Sequence, residues 1–266
     1  MGEYIEELIK YFTDKGASRG LAIAYLVVSA LLVIMAIVAL VMWIYVAVKY
    51  YGANRKKTSS GKTSFDIARE MLDKCGLKHI QVKKANIFRA FIFGNCYSIT
   101  KKTVFLRRSI ANKDSITAVG MALQKVGVAK LCESGDKKAV ARNRLQIVGL
   151  FGPILFIPIV LIGAIVDYLL FGYFGVGAFV AIGISVLILI GSFLVTLLNI
   201  PVEKKANKMA LDMIKESNVL NQEEQAIVKK VFDAYIVAYI CDFIVSVLRI
   251  IQIVLEIAMG VQTSNK

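Results

Sequence analysis

Histidine is almost missing: His79 is the single one in 266 residues. One imidazole excludes any H-E-x-x-H segment, in which two histidines a helical turn apart hold zinc and the glutamate between them takes a proton from the bound water. It also leaves serine or cysteine hydrolysis without a base. His79 sits in the turn-like Gly76-Leu77-Lys78-His79 and reads as a bystander. The four cysteines, Cys75, Cys96, Cys132 and Cys241, form no C-x-x-C pair, and a mostly cytosolic position would keep them reduced. There is no Arg-rich helix, no aromatic-interleaved basic strand and no zinc-finger spacing, which removes nucleic acid as a partner. Internal repeats are absent, and the amino terminus lacks the positive start and short apolar core of a cleavable signal peptide.

What remains is apolar and basic. Hydrophobic residues make up 57% of the chain, too many for an ordinary soluble domain, and the net charge is +14. Both point to a multi-pass membrane protein whose lysines and arginines face the cytosol and anionic lipid headgroups. Residues 1–20 place Tyr4, Ile5, Leu8, Ile9 and Phe12 on one helical face and Glu3, Glu6, Glu7 and Lys10 on the other, an amphipathic helix that Gly16 and Gly20 would end. Residues 21–48 carry no charge, and about 28 residues at about 1.5 Å each exceed a hydrocarbon core of roughly 30 Å. Residues 145–202 read as two more spans, with Asp167 marking the turn, Gly172, Gly175 and Gly177 in the outer loop, and roughly Phe179–Ile200 as the returning span. A polar helical segment, 203–230, begins behind Pro201, and Asn221 starts another helix. The last apolar region, 231–259, carries Asp242, Arg249 and Glu256 at seven-residue spacing, hence on one side, where charge must face protein rather than lipid. Positions 260–266 form a tail.

Residues 49–144 form the water-soluble part, holding twenty-two basic against six acidic residues. The positive-inside tendency therefore puts this domain in the cytosol and the amino terminus outside the plasma membrane. A basic linker, Asn54–Gly61, precedes a helix from Thr63 that Gly76 would cap. Ile80–Val82 and Thr103–Leu106 read as short strands, with Phe88, Phe91, Ile92 and Phe93 as core. The expected class is thus a mainly α membrane protein with about four transmembrane helices and a small, mostly helical α+β domain.

Within that domain, Ser115–Leu131 has the marks of a helix. Asp114 or Ser115 offers a side-chain oxygen for the N-cap, and Ile116, Val119, Leu123 and Val126 recur on one buried face. Taken in order, Ser59-Ser60-Gly61-Lys62-Thr63, Ala68-Arg69, Leu72, Gly76-Leu77, the set Ser115, Ile116, Ala118, Ala122, Val126, Gly127 and Ala129, and Pro201-Val202-Glu203 resemble the putative neutral zinc metallopeptidases. These are small bacterial membrane proteins whose motif stands in the setting S-I-x-A-x-x-x-A-x-H-E-V-G-H-A-L, and the likeness covers roughly residues 55–260. The resemblance implies a zincin-like domain with Gln124 and Val128 turned towards Glu203. At the five motif positions stand Gln124-Lys125-Val126-Gly127-Val128. Val128 has no lone pair, Gln124 is a poor zinc ligand, and Lys125 puts a cation where a metal and a base are needed. Asn95-Cys96-Tyr97-Ser98-Ile99 stands where relatives read something like D-H-Y-D-P, so that Tyr97 alone remains. Glu203 matches the acidic third ligand that the resemblance suggests, although a carboxylate two residues behind Pro201 also suits a helix amino terminus without any metal.

The expectation is a catalytically inactive relative, with no cofactor, that binds lipid and a protein or peptide partner in a scaffolding role. The alternative is a metallopeptidase with zinc on a rebuilt set, Cys96, Cys132 and Glu203, which Lys101, Lys102, Lys125 and Lys130 would oppose. A channel or transporter would spread its polar residues over several spans, whereas here they gather in the last.

Overall fold

The computed structural model describes residues 2–172 and 175–264, apart from the side chains at 2, 150, 152–154, 156, 157 and 261–264. In chain order the elements are α1 (Gly2–Asp14), α2 (Arg19–Asn54), α3 (Ser64–Lys74), β1 (Gln81–Lys84), α4 (Ile87–Phe93), β2 (Cys96–Ser98), β3 (Thr103–Leu106), α5 (Arg108–Ala111), α6 (Ile116–Glu133), α7 (Lys137–Arg144), α8 (Gln146–Phe171), α9 (Val176–Ser217) and α10 (Gln222–Ser264). Among the described residues, α2, α9 and α10 are long and apolar enough to cross a membrane, while the apolar stretch described in α8, Pro158–Phe171, is shorter. The chain divides into two compact units, positions 1–44 with 240–266, and positions 45–239.

In the first unit, α1 ends where Gly16 takes φ 96° and the Ala17 N–H donates to the Phe12 carbonyl at 3.1 Å. Gly20, expected to help end that helix, lies inside α2. Of the apolar face expected on α1, Ile9 is buried, but Tyr4, Ile5 and Leu8 are exposed. The apolar ends of α2 and α10 are joined by side chains: Tyr25 Oη donates to Glu256 Oε1 at 3.2 Å, Gln252 Nε2 to Ser29 Oγ at 3.1 Å, and Trp43 Nε1 to Asp242 Oδ1 at 3.1 Å. Partners rise along α2 as they fall along α10, so the two run antiparallel. Asp242 is half-buried. Arg249 is exposed and bonds along its own helix to Gln252.

The second unit is built around α6, which is buried on nearly every side rather than along one stripe. Its apolar face packs with Ile67 and Leu72 of α3, Val104 and Leu106 of β3, and Ala206 and Ile214 of α9. The sheet has the order β1-β3-β2, with β1 parallel and β2 antiparallel to β3. The strand expected over Ile80–Val82 runs Gln81–Lys84, and Cys96–Ser98 adds an edge strand too short to leave a periodic signal. Phe88 and Phe91, expected in the core, are 73% and 85% exposed.

Two boundaries differ from expectation at α8 and α9. Asp167 is not in the turn but inside α8, where its carboxylate accepts the Gly175, Gly177 and Ala178 N–H groups at 2.8, 2.9 and 2.7 Å. One side chain thereby satisfies donors at the start of α9 that have no partner within the helix. Small residues let the pair approach: a Cβ at Gly149 would lie 2.5 Å from Val195 Cγ1, and one at Gly163 2.4 Å from Ala181 Cβ. The other boundary is Pro201, expected to divide a span from a cytosolic helix. It stands within the unbroken α9, where its ring removes only the N–H that the Leu197 carbonyl would have received.

Candidate functional site

Ser115 starts α6 with its Oγ accepting the Ala118 N–H at 3.3 Å. About three turns further on, Gly127 lets the α6 backbone meet α9: a Cβ there would stand 2.8 Å from the Ala206 carbonyl oxygen. That close approach brings Gln124 and Lys125 to Glu203, which is 1% exposed. Gln124 Nε2 donates to Glu203 Oε2 at 2.6 Å and to Asn207 Oδ1 at 2.7 Å. Arg142 of α7 donates from Nη2 to Glu203 Oε1 at 2.8 Å and from Nε to Asn199 Oδ1 at 2.9 Å. Lys125 Nζ stands 3.6 Å from Glu203 Oε1. Asn199, Glu203 and Asn207 follow at four-residue spacing and so share one face of α9.

The electrostatics follow from this packing. Burial alone would push the Glu203 carboxyl up, but the Lys125 and Arg142 charges overcome it and hold the group below its ordinary value. Burial pushes the Lys125 ammonium down, against the upward pull of Glu203. A guanidinium does not lose its proton in a protein, so Arg142 presents a cation to Glu203 at 2.8 Å. The centre is therefore one carboxylate facing two cationic side chains, with Gln124 donating its amide. Gln124 Oε1 is buried without a hydrogen-bond partner among the described residues.

The expected geometry is present in part. Gln124 reaches Glu203, and so does Lys125, whereas Val128 belongs to the apolar core. Cys96 lies buried in β2, where its Sγ is 3.9 Å from Arg89 Nη2. Cys132 is buried near the end of α6, and burial pushes its thiol up to about 11, against the thiolate form a metal needs. Among the described residues, no group of three or more His, Cys, Asp or Glu side chains could hold a metal ion. Asp242, Arg249 and Glu256 belong to the other unit.

A second polar cluster surrounds Tyr97. Its hydroxyl donates to Glu133 Oε1 at 2.6 Å, Lys102 Nζ lies 2.7 Å from the same oxygen, and His79 Nε2 is 3.1 Å from Glu133 Oε2. Burial opposes ionisation of Glu133, but the bonds from Lys102, Tyr97 and His79 outweigh it and bring the group down to about 2. Arg142, Asn199 and Asn207 were not marked by the sequence. For the two asparagines the four-residue spacing about Glu203 is a usable signal; for Arg142, on a separate short helix, there is none.

Comparison with known proteins adds two findings. The family described as putative neutral zinc metallopeptidase matches residues 27–258. The chain is similar to the putative membrane protease YugP of Bacillus subtilis (strain 168), 25% identical over 208 residues that cover 78% of this chain and 86% of that protein. No solved structure matches.

Proposed function

The chain belongs to the putative neutral zinc metallopeptidase family, and from that premise we propose that it is a non-hydrolysing member, a membrane-held binding protein whose ancestral site has become a structural ion cluster. One observation carries this reading. The Glu203 carboxylate already has the Arg142 guanidinium at 2.8 Å, the Gln124 amide at 2.6 Å and the Lys125 ammonium at 3.6 Å. The zinc that the family name implies does not fit these residues, since a divalent cation would enter beside the fixed charge of Arg142 and the Lys125 side chain, with one carboxylate and no imidazole to receive it. The same cations do the electrostatic work that a metal would otherwise do for a buried carboxylate, so the fold is retained while the means of activating water is gone.

In this reading the chain crosses the plasma membrane four times, along 21–48, the two segments within 145–202, and 231–259. The domain at 49–144 faces the cytosol, where it engages a protein or peptide. Charge distribution supports the orientation: Lys49, Arg55, Lys56 and Lys57 follow the first apolar run, Arg142 and Arg144 precede the second, and Lys204, Lys205 and Lys208 follow the third. YugP is described as a membrane protease, and that activity is not carried over to this chain because both motif histidines and the glutamate are replaced. Detergent-purified protein incubated with zinc should leave casein and unstructured peptides uncut. Zinc-dependent cleavage that persists after repurification and is lost in Glu203→Gln would overturn the reading.

A further inference from the structure

The helix α4 is held at both ends and along its inner side, yet its outer side is exposed among the described residues. Asn86 Oδ1 accepts the Arg89 N–H at 2.8 Å at its start, and Gly94, with φ 62°, closes its end. Arg107 Nε donates to the Ala90 carbonyl at 3.0 Å, and the Arg107 N–H to Asn95 Oδ1 at 2.7 Å. The Arg89 guanidinium folds beneath the helix onto the Phe105 ring, 3.7 Å from its centroid. Against that rigid frame, Ile87, Phe88 and Phe91 project outward at 82%, 73% and 85% exposure. Three such side chains at i, i+1 and i+4 form one apolar face that water would not favour.

The position of α4 says what covers that face. Ile92 and Phe93 share a 210 Å³ cavity with Gln146 and Gly149 of α8 and Thr196 and Asn199 of α9. Those residues lie at the start of the uncharged run of α8 and near the end of that of α9, the level at which the two helices leave the apolar phase. The local charge agrees. No acidic residue occurs between Asp73 and Asp114, whereas Lys83, Lys84, Arg107 and Arg108 flank α4 and are exposed. An apolar face rimmed by cations, held where spanning helices meet the headgroups, matches the chemistry of an anionic lipid surface rather than that of a peptide groove.

We propose that α4 is an interfacial helix whose Ile87, Phe88 and Phe91 side chains enter the headgroup–acyl boundary of the leaflet from which α8 starts, with Lys83, Lys84, Arg107 and Arg108 on lipid phosphates. The soluble domain is then held against the bilayer at a second point besides its spans, and the cavity beside Arg142 opens at the membrane surface rather than into bulk water. The test uses the full chain in a Cys75→Ser background, because the other three cysteines are buried. Phe91→Cys carries an environment-sensitive fluorophore, in vesicles of equal parts phosphatidylcholine and phosphatidylglycerol. Glu216→Cys is the control, exposed on α9 roughly 24 Å beyond position 200 at 1.5 Å per residue. At position 91, lipids bearing a shallow nitroxide should quench several-fold more, and aqueous iodide several-fold less, than at position 216. Combining Lys83→Gln, Lys84→Gln and Arg108→Gln should weaken the nitroxide quenching. Equal iodide quenching at the two positions would overturn the proposal by leaving α4 in water. Shielding from both quenchers would overturn it in favour of a protein cover, and indifference to the three substitutions would remove the phosphate contacts.

Discussion

Replacing Glu203 with glutamine keeps the shape of the side chain and removes the charge that buried Lys125 and partly buried Arg142 face. Glu203 is 1% exposed, with Arg142 at 2.8 Å and Lys125 at 3.6 Å. A unit pair about 4 Å apart attracts with about 4 kcal/mol at an effective dielectric of about 20. Breaking a buried pair from one side, which strands the other charge, costs about 3–5 kcal/mol. In a chain of this size about 1 kcal/mol moves the melting temperature by about 2–4 °C, so Glu203→Gln should melt about 6–20 °C below the parent. Lys125→Met is the informative contrast. It removes an ammonium whose burial is answered only at 3.6 Å and leaves Arg142 on the carboxylate, so it should stay within about 1.5 kcal/mol of the parent. Thermal unfolding of the full chain in one detergent, followed by circular dichroism, reads both. A Glu203→Gln protein melting with the parent, or a Lys125→Met protein falling as far as Glu203→Gln should, would refute the assignment of the cluster as a charge-balanced structural unit.

Gly127→Ala should cost about 1–3 kcal/mol, because its Cβ would meet the Ala206 carbonyl oxygen at 2.8 Å and force α6 away from α9; unchanged melting would contradict the close approach. Glu133, held down to about 2 against an ordinary value of 4.5, contributes stability that is complete above about pH 4.5 and fades as the pH falls from there towards 2. Glu133→Gln should therefore flatten the acid limb of melting temperature against pH, and an identical limb in both proteins would remove Glu133 from the acid response. In intact cells, a cysteine introduced as Ser60→Cys should resist a membrane-impermeant maleimide and one introduced as Val176→Cys should react. The opposite pattern would invert the topology and with it the cytosolic partner.

Patterns that depend on near neighbours in the chain were legible: the uncharged runs, the Ser115 N-cap, and the helix that turns Gln124 towards the carboxylate of Glu203. Hydropathy cannot separate an apolar side chain bound for the core from one left facing outward, and so Phe88 and Phe91 read as core although both are exposed. Proline rules suggested a break at Pro201, but the α9 ladder loses only one donor there and continues. Asp167 read as a turn because it is charged; its role as a cap for the next helix depends on a backbone eight to eleven residues away. Arg142 was hidden for a similar reason. Its charge carries one meaning in a count of positive-inside residues and another once α7 folds its guanidinium onto Glu203, sixty-one residues further along the chain.

The most direct measurement is the zinc content of the full chain, purified without chelator from zinc-supplemented cells and analysed by mass spectrometry against protein concentration. An ion cluster in place of a metal centre predicts zinc far below one per chain, unchanged by Glu203→Gln or Cys96→Ser. One zinc per chain, lost in either variant, would contradict the account and restore a metal site built on those residues.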